Sequence, residues 1–129
     1  MTTPSGSRLV LVDSSGWVEY FGEGPKAARF APYLERETAL IVPSIVLYEV
    51  YKKLLVTTGK TIADRFVSQA LRRQVIPLDE ELALGAARVS VERRLAMADA
   101  IIYVTAQAFE ADLVTSDSHF QNLPGATLL

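Results

Sequence analysis

Four consecutive aliphatic residues, Leu9-Val10-Leu11-Val12, run without a polar interruption into Asp13, Ser14, Ser15 and Gly16. A run this short, valine-containing and unalternated is the pattern of a strand covered on both faces, which a parallel sheet flanked by helices provides. In open α/β sheets the chemistry gathers at the carboxyl ends of such strands, and Asp13 falls at that end. The first constraint on the fold is therefore also the first pointer to a site.

Downstream, helix-length and strand-length apolar segments alternate, with no dividing proline- or glycine-rich linker, no internal repeat and no low-complexity stretch. Trp17 to Phe21 reads as an apolar turn of helix stopped by Gly22 and Gly24, and Pro25 stands where a second helix, through about Glu37, would start. Ala39 to Val42 is a second strand, followed by a helix to Thr57 with Ser44 as its cap and Gly59 beyond its end. Thr61 to Arg73 is helical, and Val75-Ile76-Pro77 suits an edge strand, where proline is tolerated. Asp79 caps a helix to Arg94 with Glu80 and Glu81 in its first turn. An alanine-rich helix over 98–110 separates two final strands, Asp112 to Thr115 and Ala126 to Leu129. Parallel strands joined by right-handed helical crossovers account for this order as one α/β domain over residues 8–129. Residues 1–7, polar with Pro and Gly, are expected to form a disordered lead-in.

Composition narrows the chemistry. A chain of 129 residues, half of them apolar, can bury a real core without staples. With no cysteine and a single histidine, His119, it has no means to build a zinc finger, an iron–sulfur site, a thiol nucleophile or a disulfide framework. A metal here must be held by oxygen. Because no basic segment precedes a long apolar core, and no apolar run reaches spanning length, a soluble cytoplasmic protein without a membrane partner is expected. The net charge of −2 argues against binding nucleic acid through bulk positive charge. Three basic pairs, Lys52-Lys53, Arg72-Arg73 and Arg93-Arg94, either converge into a local basic face or are solvated helix surface.

Of the fifteen acids, Asp13, Glu49, Asp99 and Asp117 stand out by lying among small or apolar neighbours at strand ends or on apolar helical turns. Each also has a plainer explanation. Asp13 and Asp117 are in place to cap the helical turns that follow them, Asp99 to face a helix dipole, and Glu49 to pair with Lys53 four residues on. Ser15 and Thr115, each within two residues of one of these acids, are either capping hydroxyls or auxiliary groups of a site. If the four acids meet, carboxylates about 4 Å apart repel by roughly 4 kcal/mol per pair at an effective dielectric near 20, so the cluster requires cations. Mg²⁺ or Mn²⁺, which take oxygen ligands, answer that need, and a two-ion site of this kind cleaves phosphodiesters by in-line attack of water. His119 is then a turn residue or a substrate contact rather than the general base.

The segments Leu11-Val12-Asp13-Ser14-Ser15, Pro43-Ser44-Ile45-Val46-Leu47-Tyr48-Glu49-Val50, Met97-Ala98-Asp99-Ala100-Ile101-Ile102 and Val114-Thr115-Ser116-Asp117-Ser118-His119-Phe120 together resemble the PIN domains, and among them the VapC-type ribonuclease toxins. The resemblance extends over nearly the whole chain from Leu9, in the family's order. It implies a three-layer α/β/α sandwich whose parallel sheet has the order 3-2-1-4-5. It also implies an acidic site of Asp13, Glu49, Asp99 and Asp117 binding Mg²⁺ or Mn²⁺, an RNA substrate, homodimerisation and neutralisation by a VapB-like antitoxin. Two positions depart from the family's habit: Ala96 stands where a Ser or Thr often precedes the third acid, and Ser116 where a larger polar or basic residue often precedes the fourth.

Rival readings of the same architecture fare worse. A phospho-acceptor receiver domain needs a lysine near its last strand, and the last lysine here is Lys60; a haloacid-dehalogenase-type phosphatase needs an aspartate where Ser15 stands. A catalytically silent PIN-fold binding module is the remaining alternative. The apolar excess of Trp17, Tyr20, Phe21 and the tyrosines of the third helix is expected to form surface covered by a second copy or an antitoxin helix.

Overall fold

The structure, a computed structural model, describes residues 8–35 and 39–129. The expected lead-in over 1–7 and the far end of the second helix at Glu37 lie outside the described residues. Among the described residues five strands and six α-helices follow one another, mostly with a pair of helices between strands: β1 (Val10–Val12), α1 (Ser14–Phe21), α2 (Ala27–Glu35), β2 (Ile41–Pro43), α3 (Ser44–Thr57), α4 (Lys60–Ala70), β3 (Gln74–Ile76), α5 (Glu80–Arg93), α6 (Met97–Ala108), β4 (Asp112–Thr115) and β5 (Ala126–Leu128). All pairings are parallel, β1 with β4 and β4 with β5 on one side, β2 with β3 on the other. Among the described residues the two groups meet at a single parallel bridge between Val10 and Leu40, where the Val10 N–H donates to the Ala39 carbonyl at 2.9 Å. Across that seam the strand order is 3-2-1-4-5.

Burial explains the unalternated strands. Leu11, Val12, Ile41, Val42, Leu113 and Val114 are all buried, as a sheet covered on both faces demands. α5 packs on α6, while α1 packs on α2, α3 and α4, giving the helical layers of an α/β/α sandwich. At the centre of the second group the Trp17 ring meets Phe66 edge-on at 5.3 Å and stacks near Phe21 at 6.2 Å. Trp17 is 2% exposed. The expectation that it forms partner-binding surface is therefore corrected: its area is spent inside, holding α1 on α4. Tyr20 donates its hydroxyl to Glu35 at 2.7 Å and Tyr51 to Asp64 at 2.9 Å, so of the residues expected at that surface Tyr48, 61% exposed, is the most open.

Several helix boundaries differ from those read in the sequence, each for a local reason. α1 starts directly after Asp13, because the Asp13 side chain caps it. The second helix begins at Ala27 rather than Pro25, since the Glu19 carboxylate accepts the Lys26 N–H at 2.8 Å and holds a turn there. α3 takes Pro43 as its cap residue and has no side-chain cap bond, so Ser44 is its first residue instead. Asp79 caps α5 as read, accepting the Leu82 N–H at 2.9 Å. α5 ends at Arg94 in the left-handed region, φ 56°, an uncommon conformation for a side chain-bearing residue.

Gly16 is where the first turn of α1 presses against the sheet. A Cβ there would lie 2.5 Å from Val12 Cγ1 and 2.6 Å from Phe30 Cε1, inside van der Waals contact with two buried side chains. Gly16→Ala should therefore destabilise the protein by about 1–3 kcal/mol through overpacking, although alanine is the better helix former. A urea titration of the two proteins checks this; an unchanged or raised midpoint would show that α1 is free to move off the sheet.

Candidate active site

The carboxyl ends of β1 and β4 lie side by side because the Asp13 N–H continues their ladder, donating to the Val114 carbonyl at 3.1 Å. This register places Asp13 beside Thr115. The Asp13 side chain is 2% exposed and accepts from the Ser15 hydroxyl at 2.6 Å and, more weakly, from the Gly16 N–H at 3.4 Å, both on Oδ1. The cap reading of Asp13 is thus true, and the same carboxyl also lines a cavity. Burial pushes its pKa up from 3.8 to about 6, against the lowering effect of bonds from Ser15, Thr115 and Gly16, with the nearby Asp117 adding repulsion.

That cavity, of about 280 Å³, is lined by Asp13, Ser14, Ser15, Glu49, Lys53, Asp99 and Asp117, with Val18 and Ile102 as its apolar floor. The four acids arrive from four places: the end of β1, the second turn of α3, the first turn of α6 and the residue pair after β4. Glu49 is partly buried and accepts the Ser14 hydroxyl at 2.6 Å. Asp99 is also partly buried; desolvation raises its pKa, as do Asp117 and Glu49, while His119 lowers it. Asp117 caps the 3₁₀ turn Ser118–Phe120 by accepting the His119 N–H at 2.9 Å, and its own N–H donates to Thr115 Oγ1 at 2.8 Å. Thr115 is fully buried, so one hydroxyl serves both acids, accepting from Asp117 and hydrogen-bonding to Asp13.

His119 is more than a turn residue in this geometry. Its Nδ1 lies 3.1 Å from Asp117 Oδ1 and 3.4 Å from Asp99 Oδ2, and the three groups each offer a ligand atom within 4.8 Å of the others. Ser15 ties the two ends of the site together, accepting the Ser116 N–H at 3.2 Å and the Ser116 hydroxyl at 3.1 Å. The Ser116 side chain is therefore turned onto Ser15. α6 carries Ala96 as its cap residue, with no side-chain bond, as the departure at that position implied.

Two polar residues of the lining are not marked as site residues by the sequence. Ser14 was hidden among three small residues after Asp13, and only the packing of α1 against α3 shows that its hydroxyl reaches Glu49. Lys53 had a visible signal, four residues after Glu49, but that spacing suggested a surface ion pair. The structure has no such pair: the Lys53 ammonium has no hydrogen-bond or ion-pair partner among the described residues, and the side chain borders the cavity. The other basic pairs are not in the lining; Arg73 donates to the Leu34 carbonyl at 3.0 Å and ties α2 to the end of α4.

Residues 10–126 match the sequence profile of the PIN domain. No curated protein matches the chain significantly. Among solved structures, a toxin–antitoxin complex from Klebsiella pneumoniae superposes with a TM-score of 0.77 at 20% identity, over 92% of this chain and 95% of that one. VapC20 from Mycobacterium tuberculosis, a sarcin–ricin loop cleaving toxin, gives 0.76 at 16% identity, over 90% and 95%. A DNA-bound VapBC from Salmonella typhimurium gives 0.70 at 18% identity, over 95% and 96%. Likeness at these identities is likeness of fold.

The buried Asp13 makes stability depend on pH. Its folded pKa, about 6, lies above its unfolded value near 3.8, so the folded state holds the proton more tightly. The contribution to stability is full below pH 3.8 and is lost as the pH rises through about 6. The difference corresponds to about 3 kcal/mol. Asp13→Asn keeps an acceptor for Ser15 and removes the charge, so in chelator it should melt higher than the parent at pH 7.5, with the gain vanishing by pH 4. Melting curves across that range check it, and a pH-independent difference would mean that Asp13 stays ionised at no cost.

Proposed function

Because the chain belongs to the PIN-domain family, we propose that it is a Mg²⁺- or Mn²⁺-dependent ribonuclease that cuts RNA phosphodiester bonds, with Asp13, Glu49, Asp99 and Asp117 as its catalytic and metal-holding residues. The observation that carries this reading is that four acids from separate parts of the chain line one cavity, in which Asp13 and Asp99 are both held above their ordinary pKa. Carboxylates in that state want positive charge, and the donor set is oxygen with one imidazole, which suits a hard divalent ion. Asp13, Glu49, Asp99 and Asp117 would hold it. When bound, such an ion offsets the carboxylate repulsion, activates water for attack on phosphorus and stabilises the leaving oxygen.

The chain's own part is preorganisation. Ser15 and Thr115 fix Asp13, Thr115 and the 3₁₀ turn fix Asp117, and Ser14 fixes Glu49, so three of the four carboxyls are oriented before a substrate arrives. Such fixed dipoles need no reorganisation during the reaction. The neighbours in fold support a toxin role paired with a VapB-like antitoxin; a cytoplasmic place of action belongs to the same proposal. Exposed Tyr48, Val56, Leu84, Val91 and Met97 supply apolar surface for that partner and for a homodimer.

Incubated with single-stranded RNA, the protein should cleave with Mg²⁺ or Mn²⁺ and stop on chelation. Asp13→Asn and Asp99→Asn should abolish cleavage with the fold intact by circular dichroism. Cleavage in chelator, or by either variant at the parental rate, would overturn the metal-dependent reading. RNA binding without cleavage would leave a silent PIN-fold binding module.

A further inference from the structure

A cavity walled by four carboxyls is a poor place for a polyanion to approach. The chain as a whole offers no help, since its net charge is −2. Among the residues lining the cavity Lys53 is the only cation. It stands one helical turn after Glu49 on α3, so both side chains project from the same face toward the same opening. Neither Glu49 nor any other described acid pairs with it, although the spacing would allow a pair with Glu49. Glu49 instead receives the Ser14 hydroxyl at 2.6 Å, which draws its carboxylate toward α1 and leaves the ammonium unclaimed.

We propose that Lys53 is a substrate-positioning residue, which grips a backbone phosphate of single-stranded RNA beside the one cleaved and fixes how the strand crosses the acidic cavity. The inference rests on the ribonuclease reading given above. An ammonium on a flexible stem is suited to this work as a point charge that meets phosphate oxygens without demanding one geometry. Lys52 is the natural control. It is adjacent in sequence, but its ammonium lies over the Tyr48 ring at 5.6 Å and it does not line the cavity.

The test compares the parent with Lys53→Gln, Lys53→Arg and Lys52→Gln on a short, mixed-sequence, single-stranded RNA. Cleavage is followed with Mn²⁺, and binding by fluorescence anisotropy in chelator, each over a series of potassium chloride concentrations. Loss of one phosphate contact should lower the slope of log affinity against log salt by about 0.7, the value for a single strand. Lys53→Gln should show that drop and a KM raised several-fold with kcat nearly unchanged, Lys53→Arg should restore both, and Lys52→Gln should leave both near the parent. A parental slope and KM in Lys53→Gln, a loss confined to kcat, or an equal effect from Lys52→Gln would overturn the proposal. The two readouts separate the readings. Cleavage with a slope independent of Lys53 removes the contact and keeps the nuclease, whereas binding that depends on Lys53 without any cleavage removes the nuclease and keeps the contact.

Discussion

The structure turns on a carboxyl group placed where water barely reaches it. Asp13 ends a buried strand, caps the helix that follows and faces a cavity shared with three other acids. Any one of these roles is ordinary for an aspartate. Together they conflict, because the burial that makes Asp13 a good cap and a fixed wall also penalises its charge. The neighbourhood answers with hydroxyls: Ser15 and Thr115 bond to it directly, and Ser116 bonds to Ser15. Hydrogen bonds of this kind hold a carboxylate in place without neutralising it, which leaves its charge to be met by something from outside.

Much of this was legible in the sequence because it depends on local pattern. The unbroken run Leu9–Val12 gave a doubly covered strand, and Asp112–Thr115 gave its neighbour, since burial on both faces leaves no polar residue to confuse the pattern. Asp79 with Glu80 and Glu81 marked the start of α5 because a side-chain cap and first-turn acids are set by adjacent residues alone. What escaped was tertiary. Trp17 looked like surface because the sequence shows only that it is large and apolar, while its burial comes from Phe66, nearly fifty residues away. Ser44 looked like a cap, yet Pro43 already supplies the extended backbone that the position requires.

The site shows the same division. Asp13, Glu49, Asp99 and Asp117 were conspicuous as acids in apolar company, and the fold brings all four to one cavity. The groups that orient them were harder to see. Ser14 reaches Glu49 across the gap between α1 and α3 while Lys53, four residues after Glu49, takes no acid, and no spacing along one helix reveals which of two nearby groups Glu49 will take. His119 is a similar case: a residue that reads as part of a turn comes to rest between two acids only once the end of β4 is set beside the start of α6.

Among the described residues the two halves of the sheet are joined in their backbone by one bridge, Val10 with Leu40. Asp13 and Asp117 belong to the half built on β1 and β4, whereas Glu49 follows directly from β2 in the other half. The cavity therefore straddles the join, and the distance between its walls is a measure of how the halves are aligned. The Ser14 to Glu49 hydrogen bond works as a side-chain rivet across a backbone that is only lightly stitched. In this molecule the spacing of the four acids is not a property of any single element but of the fit between two sub-assemblies, so whatever disturbs that fit is felt first in the cavity they line.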